Sequence, residues 1–181
     1  AVIAPMAIAA VGTVLSVIGI FAVRTKEGAN MKALLGALGR GINLSSILIV
    51  FAALGVLLAL DLPNKWGIWL AIVTGLATGI FIGQATEYCT SHAYKPTQRI
   101  AQHATTGPAT VIIGGMGEGM VSTVYPVLAV AVGTALAYFF AADYSFDIAK
   151  MGQGLYGIGI AAVGMLSTLG ITLATDAYGP I

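Results

Sequence analysis

Residues 66–92 read WGIWLAIVTGLATGIFIGQATEYCTSH. From Trp66 to Thr86 no side chain is charged, and a run of that length matches the roughly twenty residues that carry a helix across a ~30 Å hydrocarbon core. The stretch is too long and too glycine-rich for a barrel strand, and within lipid only helices and closed barrels satisfy their own backbone groups. Gly75, Gly79 and Gly83 recur at every fourth position, one face of a helix onto which a neighbouring backbone can close. The run ends abruptly on Glu87, followed by a tyrosine, a thiol, hydroxyls and a histidine.

The rest of the 181 residues repeats this pattern. The chain is 58% hydrophobic and 8% charged, with a mean hydropathy of +0.94, against roughly a quarter charged in a soluble domain. Four further apolar segments stand out, near 2–23, 42–60, 109–141 and 155–175. The fold class is therefore all-α, a polytopic transmembrane helical bundle with about five spans, treated as a single membrane segment over 1–181 and set in a lipid bilayer. The segment 109–141 exceeds what a bilayer requires, and Pro126 with the glycines before it predicts a kink or an extension past the membrane.

Charge placement predicts orientation. Arg24, Lys26, Lys32 and Arg40 fall between the first two spans, and Lys95 and Arg99 between the third and fourth, leaving only Lys65 and Lys150 for the opposite side. Basic residues in short loops mark the cytoplasmic face, so loops 24–41 and 87–108 are expected there, together with the final TDAYGPI. A net charge of +1 implies no nucleic-acid partner. A single cysteine, Cys89, excludes an internal disulfide, and a lone thiol near a helix end reads as packing. The chain opens without a methionine or a signal peptide and stops without a polar tail, which predicts a piece of a longer protein.

Few motifs carry chemistry. GQGLYG at 152–157 has the spacing of a dinucleotide fingerprint but follows no strand. His92 and His103 lack partners at metal-ligand spacing. Three carboxylates lie near or inside spans: Glu87, Glu118 and Asp176. An ionisable group at membrane depth costs a few kcal/mol and is a functional candidate by default. Glu118, among glycines, is the weakest of the three, since a carboxylate there can also snorkel to the interface.

Three stretches resemble one family. TEYCTSHAYKPTQRIAQHATTGPATVIIGG (86–115), STVYP (122–126) and YGIGIAAVGMLSTLGITLATDAYGPI (156–181) resemble, in the same order, the membrane-bound ion-pumping pyrophosphatases. The likeness is weaker over 1–60, through AVIAPMAIAAVGTVLSVIGIFAVR and ALGRGINLSSIL. It implies a bundle of about sixteen spans, all backbone groups satisfied within helices, of which this chain forms a central part packed against the remaining helices of the same protein. It further implies hydrolysis of inorganic pyrophosphate at a cytoplasmic site holding Mg2+, outward movement of H+ or Na+, K+ or Na+ as a further cation, a homodimer, and residence in a prokaryotic inner (plasma) membrane.

The same resemblance implies that this stretch alone holds no catalytic residue and no metal ligand. The family's aspartate-rich D-x-x-x-D runs do not occur in it, and its D-N-A-G-G stretch would follow Ile181. Pyrophosphate needs several carboxylates bridged by cations, and seven scattered acidic residues do not supply them. Cys89 stands where the family usually has tyrosine in E-Y-Y-T-S. Glu87 matches that motif's glutamate and Asp176 the aspartate of D-A-Y-G-P, so both are expected to support ion coupling or the cytoplasmic end of the bundle without binding magnesium, while Gly75, Gly79 and Gly83 serve helix packing. The competing readings are a small five-span transporter or channel subunit with Glu87, Glu118 and Asp176 as a carboxylate relay, and a purely structural membrane scaffold.

Overall fold

A computed structural model describes residues 2–24, 31–60, 64–145 and 147–178, with the backbone alone for 31–35 and 174–178. The helices are α1 (Ile3–Ile20), α2 (Met31–Ala59), α3 (Lys65–Thr90), α4 (Lys95–His103), α5 (Pro108–Ser122), α6 (Val124–Ala141), a 3₁₀ turn at Ile148–Lys150, α7 (Met151–Leu166) and α8 (Leu169–Tyr178). Among the described residues there is no strand, as lipid burial of the backbone requires. Four runs there are long and apolar enough to cross a membrane: α1, α2 from Gly36, the run beginning with α3, and Pro108–Ala141.

Helix ends depart from the apolar boundaries in both directions. Helix α2 starts at Met31, so Lys32 and Arg40 belong to a helix rather than to the expected loop 24–41; Lys26 lies outside the described residues. The helical register has no reason to stop where hydrocarbon stops, because a polar helix end can stand in the headgroup layer. The segment 109–141 breaks at Thr123 into α5 and α6. Pro126 explains the position: its missing N–H and its ring disrupt a helix entering from α5 but are tolerated in the first turn of α6. The segment 155–175 breaks at Ser167–Thr168, giving helices of 16 and 10 residues, each shorter than the roughly twenty a span needs. There the Ser167 hydroxyl donates to the Val163 carbonyl at 2.8 Å and the Ser167 N–H to Gly164 O at 3.2 Å, the kind of local competition that bends helices.

The described chain divides into two compact units, 1–77 with 134–181, and 78–133. The first packs Ala4, Ile8, Ala53, Leu57, Ile68, Ala71, Ile72, Ala137, Ala141, Ile160 and Ala161 into one core. Its helices approach through small residues. A Cβ on Gly75 would overlap the Ala161 carbonyl oxygen and stand 2.6 Å from the carbonyl carbon, and one on Gly164 would stand 2.8 Å from Ile72 O. Asn64 joins two helix ends: its Oδ1 accepts from the Gly67 N–H at 3.2 Å, capping α3, and its Nδ2 donates to the Ala141 carbonyl closing α6 at 3.0 Å. The Asn64 φ of 54° is one that asparagine tolerates better than most residues. Trp69 Nε1 donates to Val50 O at 3.0 Å, tying α3 to α2.

The second unit contains the C-terminal part of α3, α4, α5 and the first part of α6. Gly133 admits Thr78 so closely that a Cβ would overlap the threonine hydroxyl. Gly107, at φ 132°, turns the chain from α4 into α5, a conformation that side chains disfavour. Helix α5 buries no residue.

Candidate functional site

The stretch that ends α3 is a compact turn. Thr90 Oγ1 donates to Thr86 O at 2.8 Å, and the Ser91 N–H bonds the Glu87 carbonyl at 2.9 Å, so Glu87 stands in the last helical turn. The Ser91 hydroxyl accepts from the Ala93 N–H at 3.4 Å, and the Tyr94 N–H bonds Ser91 O at 3.2 Å. Pro96, in the first turn of α4, is buried, where its lack of an N–H leaves no bond unmade. Thr97 Oγ1 reaches back to the Cys89 carbonyl at 3.3 Å, and the rings of Tyr88 and Tyr94 lie 5.3 Å apart. The turn is thus held at both ends by backbone and aromatic contacts.

Glu87 is half-buried on this frame, and its carboxylate has no hydrogen bond or ion pair to another described residue. On the same helix end, Phe81, Gln84, Ala85 and Tyr88, with Tyr125, line a largely apolar recess of about 250 Å³ that Glu87 does not line. Glu118 is half-buried on α5, in the same unit as Glu87. Asp176 belongs to α8 in the other unit; its side chain lies outside the described residues, as do Gly179, Pro180 and Ile181. His103 ends α4, with its carbonyl accepting the Thr106 and Thr110 hydroxyls at 2.8 and 3.0 Å and its ring 2.9 Å from where a Cβ on Gly114 would stand. His92, Lys95 and Arg99 are exposed.

The glycines divide by position. Gly75 meets α7, whereas a Cβ on Gly83 would find nothing within 4 Å. The fingerprint-like GQGLYG opens α7, and its Gly154 and Gly157 lie against the Tyr138 ring and the Ala141 methyl. Those glycines serve helix packing and no phosphate loop. Sequence reasoning missed the fully buried hydroxyls Ser16, Ser45 and Ser167. Their one signal is serine placed among glycines at helical spacing, as in Gly12, Ser16 and Gly19.

No group of three His, Cys, Asp or Glu among the described residues could hold a metal ion. The magnesium that the resemblance implies therefore does not fit the described residues of this stretch, and no step of chemistry is assigned to it here.

An all-helical chain with several apolar helices long enough to cross a bilayer is a polytopic integral membrane protein. It belongs to the inorganic H+ pyrophosphatase family, which it matches over residues 1–181. Over all 181 residues it is 61% identical to 24% of the "Putative K(+)-stimulated pyrophosphate-energized sodium pump" of Bacteroides thetaiotaomicron. It is 38% identical, over 98% of its length and 25% of the relative's, to a protein of the same name from Clostridium tetani. It is 35% identical, over its whole length and 26% of the relative's, to the "K(+)-insensitive pyrophosphate-energized proton pump" of Methanosarcina mazei. The chain spans about a quarter of the length of these relatives.

Proposed function

We propose that this chain is a stretch of membrane wall in a pyrophosphate-energised cation pump. The observation that carries the reading is the uninterrupted match of all 181 residues to a relative named as such a pump, at 61% identity. In the complete protein, inorganic pyrophosphate is hydrolysed by water at a cytoplasmic site whose metal ligands would lie outside this stretch, where magnesium would supply charge neutralisation, and the reaction drives a cation outward. The higher identity to a sodium pump, 61% against 35% for a proton pump, favours Na+ as the cargo and K+ as a stimulating ion. A plasma membrane location, segments 24–41 and 87–108 on the cytoplasmic side, and a homodimer complete the proposal.

Within it, Glu87 and Asp176 act on ion coupling or support the cytoplasmic end of the bundle. Glu118 is the lesser candidate, and of the α3 glycines Gly75 and Gly79 shape its packing, while Gly83 meets nothing within 4 Å. The half-buried Glu87 carboxylate, unpaired among the described residues, supports its part in this reading, since an ionisable group at membrane depth is a functional candidate by default.

The test uses the full-length protein in sealed vesicles, following phosphate release from magnesium pyrophosphate and ²²Na+ uptake, with and without K+. Pyrophosphate-dependent sodium uptake is expected. Acidification without sodium uptake would reassign the cargo to protons, and absence of pyrophosphate hydrolysis would remove the reading altogether. Glu87→Gln and Asp176→Asn are each expected to reduce sodium moved per pyrophosphate hydrolysed; wild-type hydrolysis and transport in both variants would exclude these residues from the mechanism.

A further inference from the structure

The break between α7 and α8 rests on α1 through two reciprocal contacts. At the break, Ser167 is 2% exposed, and a Cβ on Gly12 would lie 2.7 Å from the Ser167 Cβ and 3.2 Å from its Cα. One turn further along α1, the pairing reverses: Ser16 is fully buried, and a Cβ on Gly170 would overlap its hydroxyl oxygen. Both hydroxyls are satisfied within their own helices, Ser16 Oγ on Thr13 O at 3.1 Å and Ser167 Oγ on Val163 O at 2.8 Å. Neither serine is needed to bond across the interface; each fills the space that the opposing glycine leaves. Ile171, fully buried on α8, closes against α2, where a Cβ on Gly41 would stand 2.6 Å from its Cδ1.

We propose that this Gly12–Ser167 and Ser16–Gly170 lock fixes the α7–α8 break on α1, and that its four members are positioning residues for α8 and for the Asp176 it carries. The proposal rests on the pump reading above. A continuous helix would need no such device, because its own i→i−4 ladder would set the direction of α8. Where the ladder is interrupted, direction is left to side-chain packing, and a rigid neighbouring helix has to supply it. Interlocked small residues do this with little freedom, since closely packed interiors allow discrete arrangements and resist continuous sliding.

The experiment is a residue exchange in the full-length pump reconstituted in vesicles. Gly12→Ser places a Cβ against the Ser167 Cβ and Cα, which no rotamer change relieves; adding Ser167→Gly in the same chain removes the 2.7 Å contact and leaves only the Cα at 3.2 Å, with a residue that still weakens a helix at the break. The single variant is expected to lower kcat for pyrophosphate by up to about 100-fold, the cost that a misplacement of about 1 Å far from the chemistry can carry, with KM for magnesium pyrophosphate unchanged. The exchange is expected to restore kcat to near wild type. If Gly12→Ser does not assemble, Gly12→Ala with and without Ser167→Gly poses the same question with a smaller displacement. Thermal unfolding of the same variants reads the contact without reference to activity. A Tm that falls and is restored by the exchange while kcat per folded molecule stays at wild type would overturn the positioning role and leave a structural contact. An exchange that restores neither would overturn the lock itself. A wild-type protein that unfolds normally but hydrolyses no pyrophosphate would overturn the functional reading, and the positioning role with it.

Discussion

Helices α5 and α7 are nearly the same length and both rich in glycine, yet α7 buries Gly154, Gly157, Ile160, Ala161 and Gly164 while α5 buries nothing. The difference lies in whether a described neighbour meets the glycine face. In α7 the small residues follow one another at intervals of three, four and three, which keeps Gly154, Gly157, Ala161 and Gly164 on a single face. That face meets the Tyr138 ring, Ala141, and the backbones of α3 at Gly75 and Ile72. In α5 Gly115 and Gly119 also share a face, but a Cβ on Gly115, Gly117 or Gly119 meets nothing within 4 Å and only Gly114 has a neighbour, the His103 ring, while Ile112, Ile113, Met116 and Met120 stay exposed. Glycine count measures how freely a membrane helix can be approached; glycine phase decides where it is approached.

The sharpest test of that contrast is a single methyl group placed on either face. Gly75→Ala drives a Cβ into the Ala161 carbonyl, where backbone cannot yield as a flexible side chain would. Destabilisation of about 3 kcal/mol, the upper end for overpacking, is expected in the full-length protein, read as a loss of folded protein on thermal unfolding in detergent. Gly83→Ala, two turns along the same helix, meets nothing within 4 Å and is expected to leave Tm unchanged or slightly raised. Equal effects at the two positions would mean that the α3–α7 approach does not set the stability of this unit.

A smaller effect is expected at the helix junction. Asn64→Ala removes the cap of α3 and the bond to Ala141 O together, and it places alanine at a positive φ. A loss of roughly 1–2 kcal/mol follows from the cap. Asn64→Gly keeps the backbone conformation without strain, so it is expected to be milder; a glycine variant as damaging as alanine would assign the whole effect to the two hydrogen bonds.

The contrast also marks what could be read from the sequence. The helical class was legible because lipid leaves a backbone no other open choice, and the family because its motifs lie in order along the chain. The glycines of α3 announced close packing, but spacing alone could not distinguish Gly75, which has a partner, from Gly83, which meets nothing within 4 Å. The break at Thr123 had a visible cause in Pro126. The break at Ser167–Thr168 did not: serine and threonine are tolerated within membrane helices, and the hydroxyl-to-carbonyl bond that Ser167 makes also occurs at Ser46 and Thr74 inside unbroken helices. Glu87 could be picked out by its chemistry, whereas the tight turn around Ser91 and Pro96 that follows it is encoded by no periodicity.

The smallest expected effect lies on α5. Gly119→Ala adds a methyl group to open space and replaces the residue that most weakens a helix interior after proline, a change worth about 1 kcal/mol in helix propensity. In the full-length protein a neutral or slightly raised Tm is expected if α5 is approached there as little as it is here. A marked loss of stability at Gly119, with none at Gly83, would mean that α5 receives a close neighbour from the part of the longer protein that lies outside this stretch. Helix α5 would then resemble α7 after all, its packing face lying along the Gly115–Gly119 spacing that the sequence already carries.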